Sequence, residues 1–314
     1  MNANMSSADI ASELRVPMLP RSRPLNLRSL TVTRFLMRVF GHLGALKLPK
    51  PNRTVVKRLT RISTPDGASL ELRIHRPAGP SKQGPALLWI HGGGYVMGTA
   101  SLDDRLCRFY ADRADMQVVA VDYRLAPEYP FPTPLEDCYC ALDWMHRNAE
   151  VLGIDASRIA IGGASAGGGL AAALALLARD RTGPKPAFQL LNYPMLDDRT
   201  GPQAGRGEWV WGADANSEAW AAYLGVCGAA QALIPGRAAS LSGLPPTWLG
   251  CGTLDLFHAE NKRYASSLRE QGVRCEWLSV PGAYHGFDTV APHSDASKNY
   301  FDSQLRAMRA ALAH

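Results

Sequence analysis

From about residue 54 the chain alternates two patterns: short runs of β-branched and apolar residues, and longer stretches whose apolar positions recur at helical spacing. Buried parallel strands read as near-continuous apolar runs, while the helices that cover them are apolar on one face only, so this alternation predicts a mostly parallel sheet covered on both faces. The candidate strands are 54–61, 69–76, 86–90, 117–122, 158–162, 187–192, 246–250 and 275–280, and helical periodicity marks 103–115, 135–150, 166–180, 259–272 and 295–312. The run from Leu125 to Pro134 contains Pro127, Pro130, Pro132 and Pro134. Proline fixes φ and lacks a donor, so this run reads as a rigid loop over the sheet.

Residues 1–50 and about 195–240 break the rhythm. They read together as a cap: an N-terminal part at 1–50, and an insertion at 195–240 within a catalytic domain spanning 51–314. Leu30, Val32, Phe35, Leu36, Val39, Phe40 and Leu43 recur at helical spacing with Arg28, Arg34 and Arg38 between them. That pattern predicts an amphipathic helix lying on the protein's own surface near the mouth of a site, in preference to one lying on a lipid surface. Phe35, Phe40, Trp209, Trp211 and Trp220 are candidates to line an apolar substrate pocket beneath the cap, ordinary packing being the alternative for each.

Hydrophobic residues at 46% and charged residues at 20% exclude disordered and fibrous classes. The net charge of +6 owes much to basic residues before position 60, but no nucleic-acid motif accompanies them, so nucleic acid is not an expected partner. The six cysteines show neither C-x-x-C pairs nor zinc-ligand spacing, which fits a reduced, cytoplasmic protein. The N-terminus has no apolar signal core, and no window approaches the ~18 continuous apolar residues of a membrane span, so no stable membrane insertion is expected.

The strongest chemical signal is Arg158-Ile-Ala-Ile-Gly-Gly-Ala-Ser165-Ala-Gly, a strand that runs at once into a helix with G-x-S-x-G at Gly163, Ser165 and Gly167. This is the nucleophile-elbow pattern in its required context. The competing dinucleotide-loop reading fails because Gly167, Gly169 and Ala172 fall inside the helix rather than before it. Upstream, a buried strand leads into His91-Gly-Gly-Gly94. Its glycines let the amides of Gly93 and Gly94, together with that of Ala166, face a developing oxyanion, and no P-loop Lys follows them. His91 is assigned to holding this loop.

The base expected is His285, just beyond a late strand, and the acid is Asp255, which follows a strand and lies between serine and histidine as the order Ser, acid, His requires. Asp288 belongs to the loop of His285. Asp122 is expected to anchor the Pro-rich loop with Arg124. The remaining histidines lack ligand spacing, so no metal is implied.

Taken together, His91-Gly-Gly-Gly94, Asp122-Tyr-Arg-Leu-Ala-Pro-Glu128, Gly163-Ala-Ser-Ala-Gly-Gly168, Asp255-Leu-Phe with Glu260, and His285-Gly-Phe resemble the hormone-sensitive-lipase-like (family IV) bacterial esterases of the α/β-hydrolase superfamily. The resemblance covers about 54–312. It implies an eight-stranded core with the strand at 69–76 antiparallel, cofactor-free hydrolysis of a small-molecule ester with a short to medium acyl chain, and a homodimer through the last strand. An amidase, deacetylase or lipase on the same framework, and a non-catalytic binding protein of the same fold, are the rival readings. Ala164 departs from the acidic residue this family commonly carries before the serine.

Overall fold

A computed structural model of the chain describes residues 9–40, 51–79 and 83–313. The eight strands are β1 Val55–Ser63, β2 Ser69–Pro77, β3 Gly84–Ile90, β4 Gln117–Val121, β5 Ile154–Ala164, β6 Phe188–Asn192, β7 Thr247–Gly252 and β8 Cys275–Val280. They form one sheet in the order β1-β2-β4-β3-β5-β6-β7-β8. Strand β2 runs antiparallel to both its neighbours, and every pairing from β4 through β8 is parallel. Strands β4, β6 and β7 are buried at every residue, as their largely apolar runs predict, and they bury Gln117, Gln189, Asn192 and Thr247 as well. Strand β1, at one edge, is mostly exposed along its length and carries Lys57, Arg58 and Arg61 among its apolar residues.

The helices used below are α1 Leu30–Phe40, α2 Asp104–Ala114, α3 Thr133–Arg147, α4 Ala166–Asp180, α5 Ala213–Leu224, α6 His258–Glu270 and α7 Asp295–Ala311. Helices α2 and α7 pack on one another and on the sheet, and α3 and α4 form a second such pair. Six of these helices, α1 among them, fall where the periodicity places them. Helix α5 lies in the 195–240 stretch, where the strand–helix rhythm lapses.

The N-terminal segment and the 195–240 stretch are stitched together. Ser22 donates to the Glu208 carbonyl at 2.9 Å, Val210 to the Pro20 carbonyl at 3.0 Å, and the Arg21 guanidinium lies 4.9 Å from the Trp209 ring centre. Helix α1 is pinned to the loops after β3 and β4 by Arg34, whose guanidinium donates to the carbonyls of Val96 and Ala126 and grips the Glu128 carboxylate. Leu30, one turn before Arg34, is buried, so the expected helix is held through a face that is part apolar and part charged. Residues 1–8 and 41–50 of the expected N-terminal part, and the side chain of Phe40, lie outside the described residues.

The expected Asp122–Arg124 anchor of the Pro-rich loop does not form. Asp122 does not pair with Arg124: it accepts the Ala100 amide at 2.8 Å. Arg124 instead chelates the buried Asp137 on α3 and reaches Asp66 at 2.7 Å. A carboxylate one residue past a strand faces the neighbouring loop, while Arg124, two residues on, has already turned toward α3.

Candidate active site

The site is assembled at the carboxyl ends of β3, β5, β7 and β8, the edge at which open parallel sheets gather functional loops. Strand β5 passes into α4 through Ser165, which has φ 56° and ψ −121°. A non-glycine residue there is strained, and the surrounding packing must hold it. Gly163 shows what that packing demands: a Cβ on it would lie 2.5 Å from the carbonyl oxygens of both Ile90 and Gly167. The serine amide donates to the Asn192 carbonyl at 2.9 Å, which ties the turn to β6.

Ser165, His285 and Asp255 form one hydrogen-bonded chain. His285 Nε2 lies 3.0 Å from Ser165 Oγ, and His285 Nδ1 lies 2.8 Å from Asp255 Oδ2. The other carboxylate oxygen of Asp255 accepts the Phe257 amide at 2.9 Å. All three side chains are buried. The imidazole is boxed in by the edges of Tyr193 and Phe257, with ring centres 4.9 and 5.3 Å away. Such an arrangement can move a proton from a hydroxyl to an imidazole whose charged form faces a carboxylate.

The loop after β3 turns beside the serine with Gly93 at φ 121° and Gly94 at φ 60°. Among the described residues the amides of Gly93 and Gly94 donate no hydrogen bond, and Ala166 opens α4, where the helix leaves its first amides without internal partners. His91 stacks on Tyr123 with ring centres 4.2 Å apart, its Nδ1 2.8 Å from the Gly92 carbonyl, while the Tyr123 hydroxyl donates to the His91 carbonyl. These contacts hold the loop's shape.

A cavity of about 430 Å³ opens onto Ser165 and His285, with Leu25, Met37, Met97, Leu102, Leu106 and Val210 supplying much of its apolar wall. Of the five aromatic residues expected to line it, Trp211 does so. Trp209 and Trp220 are absent from its wall: Trp209 lies under Arg21, and Trp220 packs against Tyr95 and Tyr223. Phe35 is 63% exposed and also absent from the wall. The helix spacing that singled out Phe35 marks an apolar face without saying which residue points inward; Met37, two positions on, reaches the cavity.

Sequence reasoning passed over Tyr193, which stands one residue past β6 at the active edge and donates to Asp288 Oδ1 at 2.8 Å. Its position after a predicted strand was the available signal. Burial pushes the Asp288 carboxyl up to about 6, against the opposing hydrogen bond from Tyr193. Burial likewise pushes Glu260 on α6 up to about 8. Glu260 accepts the Leu196 amide at 2.7 Å and the Thr200 hydroxyl, linking α6 to the start of the insertion.

Comparison with known proteins points the same way. Residues 87–289 match the family described as alpha/beta hydrolase fold. The chain is 34% identical to the esterase LipI of Mycobacterium tuberculosis over 267 residues, covering 79% of this chain and 83% of that protein. It is 36% identical over 236 residues to an ethyl acetate hydrolase of Pseudomonas putida, covering 72% and 74% of the two chains. Among solved structures, a bacterial heroin esterase superposes with a TM-score of 0.88 at 35% identity over 97% of this chain and 98% of its own. The esterase LipW of Mycobacterium marinum gives 0.86 at 35% identity, over 98% and 97%.

Proposed function

Because this chain belongs to the hormone-sensitive-lipase-like (family IV) esterases of the α/β-hydrolase superfamily, whose relatives here are ester hydrolases, we propose that it is a serine carboxylesterase working through an acyl-enzyme. The observation that carries this reading is the hydrogen-bonded chain Ser165–His285–Asp255 opening onto the cavity. His285 Nε2 takes the proton of Ser165 as its Oγ adds to the ester carbonyl carbon. The tetrahedral oxyanion is held by the amides of Gly93, Gly94 and Ala166. The C–O bond then breaks, and the proton on His285 passes to the departing alkoxide. Water repeats the sequence on the acyl-enzyme, with His285 as its base, and releases the carboxylic acid and free Ser165. Asp255 fixes the tautomer of His285 and stabilises its cation.

A cavity of about 430 Å³ with an apolar wall supports short to medium acyl chains. The free cysteines support a reducing, cytoplasmic setting, and no helix among the described residues is long and apolar enough to cross a membrane.

The test is a burst-phase assay with p-nitrophenyl esters of increasing acyl length. Turnover peaking at short chains and abolished in Ser165→Ala and His285→Ala is the expected result. A folded wild type that releases no nitrophenol, or a Ser165→Ala variant with full activity, sinks the proposal.

A further inference from the structure

Asp103 and Asp104 stand side by side at the entry to α2, and the fold uses them differently. Asp104 meets Arg73 at 2.8 Å, Lys57 at 2.9 Å and His75 at 3.2 Å. Although it is partly buried, the groups around it, led by the hydrogen bonds from Arg73, hold its carboxyl well below the usual range. Asp103 instead forms part of the wall of the active-site cavity, beside Thr99, Leu102 and Leu106. Its Oδ2 accepts the indole N–H of Trp89 at 2.7 Å. Among the described residues it receives no other side-chain hydrogen bond, and no Lys, Arg or His comes within ion-pairing distance of it. It is also the one carboxylate among the described residues of that wall. Burial pushes its carboxyl up, against the Trp89 bond.

A carboxylate in a largely apolar wall is costly unless a cation or donor meets it. Bracing Trp89 needs only a neutral acceptor, and among the described residues the fold sets no cation in contact with Asp103, His91 acting on it only through space. We propose that Asp103 determines specificity, and that the cavity takes esters carrying an aliphatic ammonium group, which pairs with Asp103 while the ester carbonyl reaches Ser165. This rests on the ester-hydrolase reading above. Arg23, an exposed lining residue, opposes the cation electrostatically, so the gain comes from the contact with Asp103 itself.

The probes are 2-(dimethylamino)ethyl acetate, protonated at neutral pH, and its uncharged isostere 3-methylbutyl acetate. The readout is the ratio of their kcat/KM values in wild type and Asp103→Asn, a change that keeps an acceptor for Trp89. The ratio is expected to fall about tenfold or more in the variant, the scale of a close charge pair out of bulk water. A second measurement needs no variant: 3-methylbutylammonium should inhibit wild-type hydrolysis of p-nitrophenyl butyrate about tenfold more tightly than 3-methylbutanol. An unchanged ratio in a folded variant overturns the inference, as does equal inhibition by amine and alcohol, while leaving the ester-hydrolase reading intact. No turnover of any of the three esters removes both.

Discussion

Replacing Asp255 by Asn interrogates the proton path at the group that sets it. The two oxygens of Asp255 have different partners: one accepts the Phe257 amide at 2.9 Å, the other faces His285 Nδ1 at 2.8 Å. An asparagine must keep its carbonyl toward Phe257, because turning its NH2 to that amide would set donor against donor in a buried site, at about 1–3 kcal/mol for each unsatisfied group. The NH2 is then delivered to His285 Nδ1, which can meet it only as an unprotonated acceptor. The ring proton moves to Nε2, which faces Ser165 Oγ at 3.0 Å and can no longer accept the serine proton. Loss of the right tautomer and of the charge beside the imidazolium is expected to lower kcat on the order of 10⁴-fold, roughly 5 kcal/mol at about 1.4 kcal/mol per tenfold. Stability should move little, since the side chain keeps its shape and both contacts survive with altered polarity. Stopped-flow acylation by p-nitrophenyl butyrate at neutral pH, alongside a thermal melt, measures both quantities. A folded Asp255→Asn enzyme within tenfold of wild type would refute the tautomer argument.

The Asp288 carboxyl, displaced from 3.8 to about 6, binds a proton more tightly folded than unfolded. Its contribution to stability is therefore complete below about pH 4 and lost as pH rises through 6, up to roughly 3 kcal/mol; urea titrations should show wild type losing that amount against Asp288→Asn between pH 4 and 7.5, and parallel pH dependences would refute it. Glu260, pushed to about 8, is protonated at neutral pH, so Glu260→Gln should stay within about 1 kcal/mol of wild type at pH 7, whereas Glu260→Ala, leaving the Leu196 amide and Thr200 hydroxyl unmet, should lose about 2 kcal/mol or more by denaturant midpoint. Trp211→Ala should move the acyl-length optimum upward by about two carbons or more, because it removes a wall residue, while Phe35→Ala, on an exposed side chain, should leave the optimum where it is; the reverse pattern would restore Phe35 to the pocket.

Much of this molecule was legible in one dimension. Burial on both faces makes residues 86–90 of β3 and 118–121 of β4 continuous apolar runs, and the turn at Ser165 admits only glycine at Gly163, so sheet and elbow are written in local residue choice. The order of serine, acid and histidine follows from where each stands relative to a strand end, and the structure brings those three together. Contacts between distant segments were not legible. Spacing marks Phe35, Trp209 and Trp220 as apolar, yet which aromatic faces a cavity depends on how the N-terminal segment and the insertion pack on each other, and that packing turned Trp211 and Met37 inward instead. The same holds for charge: Asp103 and Asp104 are neighbours of one type in sequence, and only the tertiary fold, by setting Arg73, Lys57 and His75 around one of them, left the other facing the cavity. A side chain's environment is set by chain segments tens of residues away, and neither periodicity nor motif spacing carries that information.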